Sequence, residues 1–153
     1  MTTPNERLSG DAEASAGAIH LELDLPHAPE KVWRALTDPA LVSRWLLPAS
    51  DFTLAVGAPF TFTTDPHPGW DGTINCRMLE VEPLRVLRYT WVVNDDRGID
   101  TVVTFSLQPT ASGTHLSIAH TGFQLPAHHG ALRGTRYGWS LITGRLVSSL
   151  SSA

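Results

Sequence analysis

A chain of 153 residues with 11 basic and 15 acidic side chains, net −4, is long enough for one domain with one sizeable core. Its ten arginines and single lysine, Lys31, are scattered, so no basic stripe is offered to a nucleic-acid backbone. One cysteine, Cys76, excludes an internal disulfide framework and a thiolate zinc cluster and fits a reducing cytosol, so a cytoplasmic location is expected.

The opening MTTPNERLSGDAEASAGA has no apolar stretch of the signal-peptide kind, and nowhere do about 18 apolar residues run together to span a bilayer. A flexible polar tail over 1–18 and one domain over 19–153 are predicted. In IHLELDL, residues 19–25, Ile19, Leu21, Leu23 and Leu25 alternate with His20, Glu22 and Asp24, the pattern of a half-buried strand. Pro29 then opens a helix carrying Val32, Trp33, Ala35 and Leu36 at helical spacing, until Asp38-Pro39 stops it and starts a second short helix with Leu41, Val42 and Trp45 inward.

After Pro48 the period changes to two, and strands are predicted over 52–56, 60–64, 72–82, 86–93, 101–107 and 114–120, divided by turn-forming clusters. Their close succession argues an antiparallel meander. The end of the chain, residues 130–150, repeats Trp139, Ile142, Leu146 and Leu150 at spacings of three and four, one face of a long helix. Gly130, Gly134 and Gly138 lie in its first half, where they either loosen the helix or let backbone approach closely. The fold class is therefore α+β: seven antiparallel strands in a curved sheet wrapped around a long terminal helix. A twisted sheet gripping one helix leaves a gap between the two, and that gap is where a ligand would go.

These segments resemble the SRPBCC, or START/Bet v-like, helix-grip superfamily, and within it the Aha-type group of heat-shock-protein-90 ATPase activator-like proteins. The resemblance rests on PEKVWRALTDPALVSRWL (29–46), LAVGAPFTF (54–62), GTINCRMLEVEPLRVLRYTW (72–91), TVVTFSLQPTASGTHLSIAHTGF (101–123) and Gly138-Trp139. Two departures stand out: Trp45-Leu46 where the family often has two tryptophans, and Gly57-Ala58-Pro59-Phe60 where it often reads GGRF. The resemblance implies a hydrophobic cavity used for lipid or polyketide binding, cyclase-type chemistry, self-resistance to a reactive antibiotic, or chaperone contact in the stress response. Fold alone does not choose among these.

On the strand faces, Phe60 and Phe62, then Leu87, Tyr89 and Trp91, then Val103, Phe105 and Leu107, then Leu116, Ile118 and His120 point the same way. Trp33, Leu107 and Leu116 are read as core. Trp45, Phe60, Phe62, Tyr89, Trp91, Trp139 and Ile142 are read as candidate cavity lining, with His120 the polar contact. His120 has two readings, a structural histidine with both nitrogens satisfied or an acid/base group. Cys76 lies between Ile74 and Met78 on one face and reads as an inert buried thiol.

His67, His115, His120, His128 and His129 lack acidic or thiolate partners at ligand spacing, which argues against a metal, and no cofactor is called for. No GxSxG, Walker loop, dinucleotide fingerprint or HExxH occurs. The expected partner is a small hydrophobic or aromatic ligand. A cyclase- or hydrolase-like enzyme, a chaperone-contact domain and a homodimer are the alternatives.

Overall fold

The computed structural model describes residues 17–152; most of the predicted tail over 1–18 lies outside them. The elements run β1 (Ala18–Leu25), α1 (Pro29–Thr37), α2 (Pro39–Trp45), β2 (Ala49–Ser50), β3 (Pro59–Thr63), β4 (Thr73–Glu82), β5 (Val86–Val93), β6 (Ile99–Thr110), β7 (Gly113–Thr121) and α3 (His129–Ser152). They form one seven-stranded antiparallel sheet in the order β1-β7-β6-β5-β4-β3-β2. This is the α+β helix-grip architecture expected.

The corner between α1 and α2 follows from two adjacent residues. Pro39 disfavours helical backbone at the residue before it, and Asp38 is extended at φ −90° and ψ 116°. Asp38 closes α1 by donating its N–H to Arg34 O, while its carboxylate accepts the Ala40 N–H at 3.0 Å and caps α2. The Trp45 indole N–H donates to Ala35 O at 2.8 Å and locks the two helices together. Trp33, in contrast, is partly buried and packs against the rim of the core.

The strand periodicity is realised in register. Ile19 faces His120, Leu21 faces Ile118 and Leu23 faces Leu116 across β1 and β7; Leu87 faces Phe105, which faces Ile118, across β5, β6 and β7. The first strand is thus held by the last. A register shift between Met78 and Glu80 breaks the β4–β5 ladder locally.

One predicted strand is corrected. Residues 52–56 form no strand; the edge is instead the two-residue β2 at Ala49–Ser50. Asp51 takes a left-handed φ of 63°, which ends the extended run just before the alternation begins. Of the three alternating side chains there only Phe52 packs inward, against Phe60 at 4.9 Å, while Leu54 and Val56 are 42% and 69% exposed. The apolar alternation of this segment therefore does not report a buried face.

Helix α3 buries Leu132, Trp139, Thr143, Leu146 and Leu150, with Ile142 partly buried beside them. Its backbone neighbours are α2, α1 and β1; the central strands meet it through large side chains. A Cβ built on Gly130, Gly134 or Gly138 meets nothing within 4 Å, so these glycines serve no close backbone approach. Gly17 is the opposite case. Its φ is +89°, its carbonyl accepts the Phe123 N–H at 3.1 Å, and a Cβ there would run into the Phe123 carbonyl.

Candidate functional site

The side chains singled out from the sequence form one continuous aromatic cluster between sheet and helix. Phe60 touches Phe62 and Tyr89 at centroid distances of 5.4 and 5.1 Å, and Phe62 touches Trp91 at 5.6 Å. Tyr89 reaches Phe105 at 5.9 Å, and Phe105 meets both Trp45 and Trp139 at 6.2 and 6.1 Å. Most pairs are edge-on or tilted, the geometry that the ring quadrupoles favour. Trp45, Phe60, Phe62, Tyr89 and Trp139 are each at most 2% exposed, so in this conformation the middle of the expected gap is occupied by the protein's own rings.

His120 sits inside this cluster with no solvent exposure. Trp139 donates its indole N–H to His120 Nδ1 at 3.0 Å, which makes Nδ1 an acceptor and puts the proton of the neutral imidazole on Nε2. Nε2–H then donates to Thr101 Oγ1 at 2.7 Å, and Thr101 O–H donates to Trp91 O at 2.7 Å. All donors in this chain point one way, from α3 through β7 and β6 to β5. Burial lowers the His120 pKa to about 3, because no neighbouring charge compensates the desolvation of an imidazolium. Of the two readings of this residue, the geometry is that of a satisfied structural histidine.

Tyr89 differs from it. Its ring is 1% exposed, yet its hydroxyl has no hydrogen-bond partner among the described residues, and burial, with a smaller contribution from Cys76, drives its pKa well up. Cys76 is a free, buried thiol whose pKa burial also raises, and its S–H lies 3.8 Å from Ile74 O. No thiolate nucleophile is favoured at that position.

Open space is found at one end of the gap. A cavity of about 370 Å³ lies under the first half of α3, walled by Trp70, Ile74, Trp91, Val93, Ile99 and Phe123 and by Ala131, Gly134 and Thr135 of the helix, with His67 and Arg97 at its polar side. Of the predicted contacts, Trp91 alone lines this cavity; Phe62 and His120 lie one ring behind it, at 5.6 and 5.4 Å from Trp91. The rim is built from loops. Trp70 packs at a tilt against His67, centroids 5.0 Å apart, and its indole N–H donates to Thr73 O at 3.0 Å. His128, 6% exposed, accepts the Gln124 N–H on Nδ1 at 2.9 Å and donates from Nε2 to Arg97 O at 2.8 Å. It thereby staples the β5–β6 loop to the start of α3. Arg97 is held in turn by Asp95 at 2.6 Å, whose carboxyl pKa this partner lowers.

On the outer face of the sheet, His115 lies between Asp24 at 2.7 Å and Glu22 at 2.6 Å, and these two carboxylates raise its pKa. Its charged form is stabilised in the fold, the reverse of His120.

A curved antiparallel sheet around a terminal helix, with a ring-filled interior opening at one end, defines a helix-grip domain. The family model described as activator of Hsp90 ATPase homolog 1-like protein matches residues 26–151, and the chain belongs to that family. A solved protein from Mesorhizobium loti is 37% identical over 89% of this chain and 98% of its own, with a TM-score of 0.81. CalU16 from Micromonospora echinospora is 24% identical, with 88% and 74% of the two chains covered and a TM-score of 0.67. The Aha1 dimer from Colwellia psychrerythraea is 18% identical, with 87% and 95% covered and a TM-score of 0.72. At these last two identities the likeness is one of fold. No curated protein matches the chain. Among the described residues no helix is long and apolar enough to cross a membrane.

Two predictions follow from the buried polar groups. The His120 pKa is about 3 in the fold against 6.5 in an unfolded chain, so the unfolded state binds the extra proton as soon as pH falls below 6.5. Stability is complete above that value and is lost towards pH 3, by a few kcal/mol in all. Chemical unfolding between about pH 6.5 and 5, above the ordinary range of carboxylates, is expected to show this slope in the wild type and not in His120→Gln; equal slopes would contradict the assignment. Tyr89→Phe removes a hydroxyl that bonds nothing, so its unfolding free energy is expected to equal or exceed the wild type's by up to about 1 kcal/mol. A loss of 2 kcal/mol or more would show that the hydroxyl has a partner.

Proposed function

We propose that the protein is a small-molecule binding module that takes an apolar, aromatic-ringed ligand at the open end of the space between sheet and α3. The observation that supports this most is the cavity itself: about 370 Å³, within the range of about 300–1,000 Å³ usual for ligand sites, with three aromatic walls beside a polar side made by His67, Arg97 and Thr135. Trp70, Trp91 and Phe123 would stack on a ring, and Arg97 would meet a polar or anionic substituent at the rim. Trp45, Phe60, Phe62, Tyr89, His120, Trp139 and Ile142 support the site from behind in the packed state, and become contacts for a longer ligand that displaces rings. The Tyr89 hydroxyl, without a hydrogen-bond partner among the described residues, is a polar group that such a longer ligand would reach behind those rings. A cyclase or hydrolase reaction through His120 as base has less support, since both ring nitrogens are committed and the imidazole is sealed from the cavity. A buried free thiol fits a cytoplasmic setting.

The probe of choice is anilinonaphthalene sulfonate, aromatic with one anionic group. It is expected to bind saturably, with quenching of tryptophan emission, and Trp70→Ala and Phe123→Ala are each expected to weaken it about tenfold, the loss of one stacked ring. No saturable signal from the wild type, or equal affinity in both variants, would remove the reading.

A second reading, contact with another protein, draws on the family to which the chain belongs and on Tyr137 and Leu141, one turn apart on the outer face of α3 and 67% and 51% exposed. The partner would be an Hsp90-type chaperone or a second copy. Light scattering and a chaperone pull-down are expected to show an association that Tyr137→Ser with Leu141→Ser abolishes. A monomer that retains no chaperone would exclude it.

A further inference from the structure

A second concavity lies on the far side of α3 from the sheet, between its C-terminal half and the last turn of α2. This shallow cleft of about 480 Å³ is lined by Arg44, Leu141, Gly144, Arg145 and the serines Ser148, Ser149 and Ser152. Among the described residues its lining holds two guanidinium groups, three hydroxyls and no carboxylate. Neither arginine forms an ion pair among the described residues, whereas Arg85, Arg88 and Arg97 around the sheet are each paired with an acid. The helix as a whole carries Arg133, Arg136 and Arg145 without one acidic residue, in a chain of net charge −4. Positive charge is therefore concentrated on the helical side although the molecule is acidic overall.

Arg145 is pre-positioned. Its Nε–H donates to Trp45 O at 3.3 Å, at the end of α2, which anchors the guanidinium at one point, while its two terminal nitrogens have no hydrogen-bond partner among the described residues. Part of this arrangement is ordinary, since a cation beside a helix C-terminus interacts favourably with the dipole. That interaction accounts for Arg145 on Trp45 O and for Arg44 in the last turn of α2. It does not account for two like charges sharing one cleft with neither compensated.

Ser148 and Ser152 follow Arg145 by three and seven positions and so lie along the same side of the helix. Gly144 leaves the floor open, because a Cβ there would meet nothing within 4 Å. Leu141, half exposed, supplies an apolar end to the cleft.

We infer that this cleft is a binding site for a tetrahedral oxyanion, a phosphate or sulfate group borne on a molecule whose apolar part lies along Leu141. The two guanidinium forks and the Ser148 and Ser149 hydroxyls donate to its oxygens, while the Ser152 hydroxyl donates to Ser149 O, and no carboxylate among the described lining residues competes for the guanidinium groups. The site is separate from the cavity under the first half of α3 and does not depend on the reading proposed for that cavity.

Calorimetric titration of the full chain with inorganic phosphate, with phenyl phosphate, and with phosphatidylcholine vesicles with and without phosphatidic acid tests this. Phenyl phosphate is expected to bind saturably and more tightly than inorganic phosphate. Tighter binding to the phosphatidic acid vesicles would assign the same chemistry to a lipid headgroup. Arg44→Gln and Arg145→Gln are each expected to weaken binding about tenfold or more, the loss of a charge-assisted hydrogen bond. Arg133→Gln with Arg136→Gln, outside the cleft, is expected to change it less than about threefold. The Arg44 side chain makes no hydrogen bond or ion pair among the described residues, so its variant keeps the test valid if Arg145→Gln unfolds α2. No saturable binding in any arm, or an equal loss in the Arg133/Arg136 variant, would overturn the site.

Discussion

The helix and the sheet of this protein are tied together by one directional chain of hydrogen bonds, from the Trp139 indole through the His120 imidazole and the Thr101 hydroxyl to the Trp91 carbonyl. The chain works only with His120 neutral and protonated on Nε2, because Nδ1 must accept. Each member is buried to within 1% exposure or has its bonding group in the buried layer, so any broken link leaves a polar group in a dry interior. The aromatic cluster packs around that chain: Trp91, Trp139 and Phe123 all lie within about 6 Å of the imidazole. A polar thread thus fixes the position of an otherwise apolar helix face.

That constraint also separates the interior into two regimes. Behind His120 the rings of Trp45, Phe60, Phe62, Phe105 and Tyr89 fill the space; in front of it, under Gly134 and Thr135, they do not. The walls of the open part come from β4, β5, β6 and α3, and its rim from the β3–β4 and β5–β6 loops and the segment before α3, the last two clipped to each other by His128. The helix therefore presents different surroundings to each side: rings and a cavity towards the sheet, unpaired arginines and serines on the face turned away from it.

Much of this was legible in the amino-acid order. Period-two alternation placed Phe60, Phe62, Tyr89, Trp91 and His120 on the inward face, and the spacing of Trp139, Leu146 and Leu150 oriented the helix. Asp38-Pro39 marked the corner between the first two helices. Three things were not legible. The residues 52–56 alternate without forming a strand, since a left-handed Asp51 is a matter of backbone that composition does not signal. Whether rings meet across the gap depends on rotamers, and periodicity carries no rotamer information. Trp70, Arg97, Phe123 and His128 were missed as site residues because they lie in connections, where no repeat marks which way a side chain points. The only sequence hint there was the density of aromatic and histidine residues in segments otherwise rich in turn formers.

The pairing of Ile19 with His120 joins residues about one hundred positions apart, and it is the sheet's own edge that waits on it. During synthesis β1 is made before β7 and has no partner strand until nearly the whole meander has followed it. For that interval its apolar side lacks the cover it has in the fold, and charges such as those of Glu22 and Asp24 on the other side disfavour edge-to-edge association of a lone strand. The same two carboxylates pair with His115 once the partner strand is in place, so one pair of charges belongs to both the lone strand and the finished sheet.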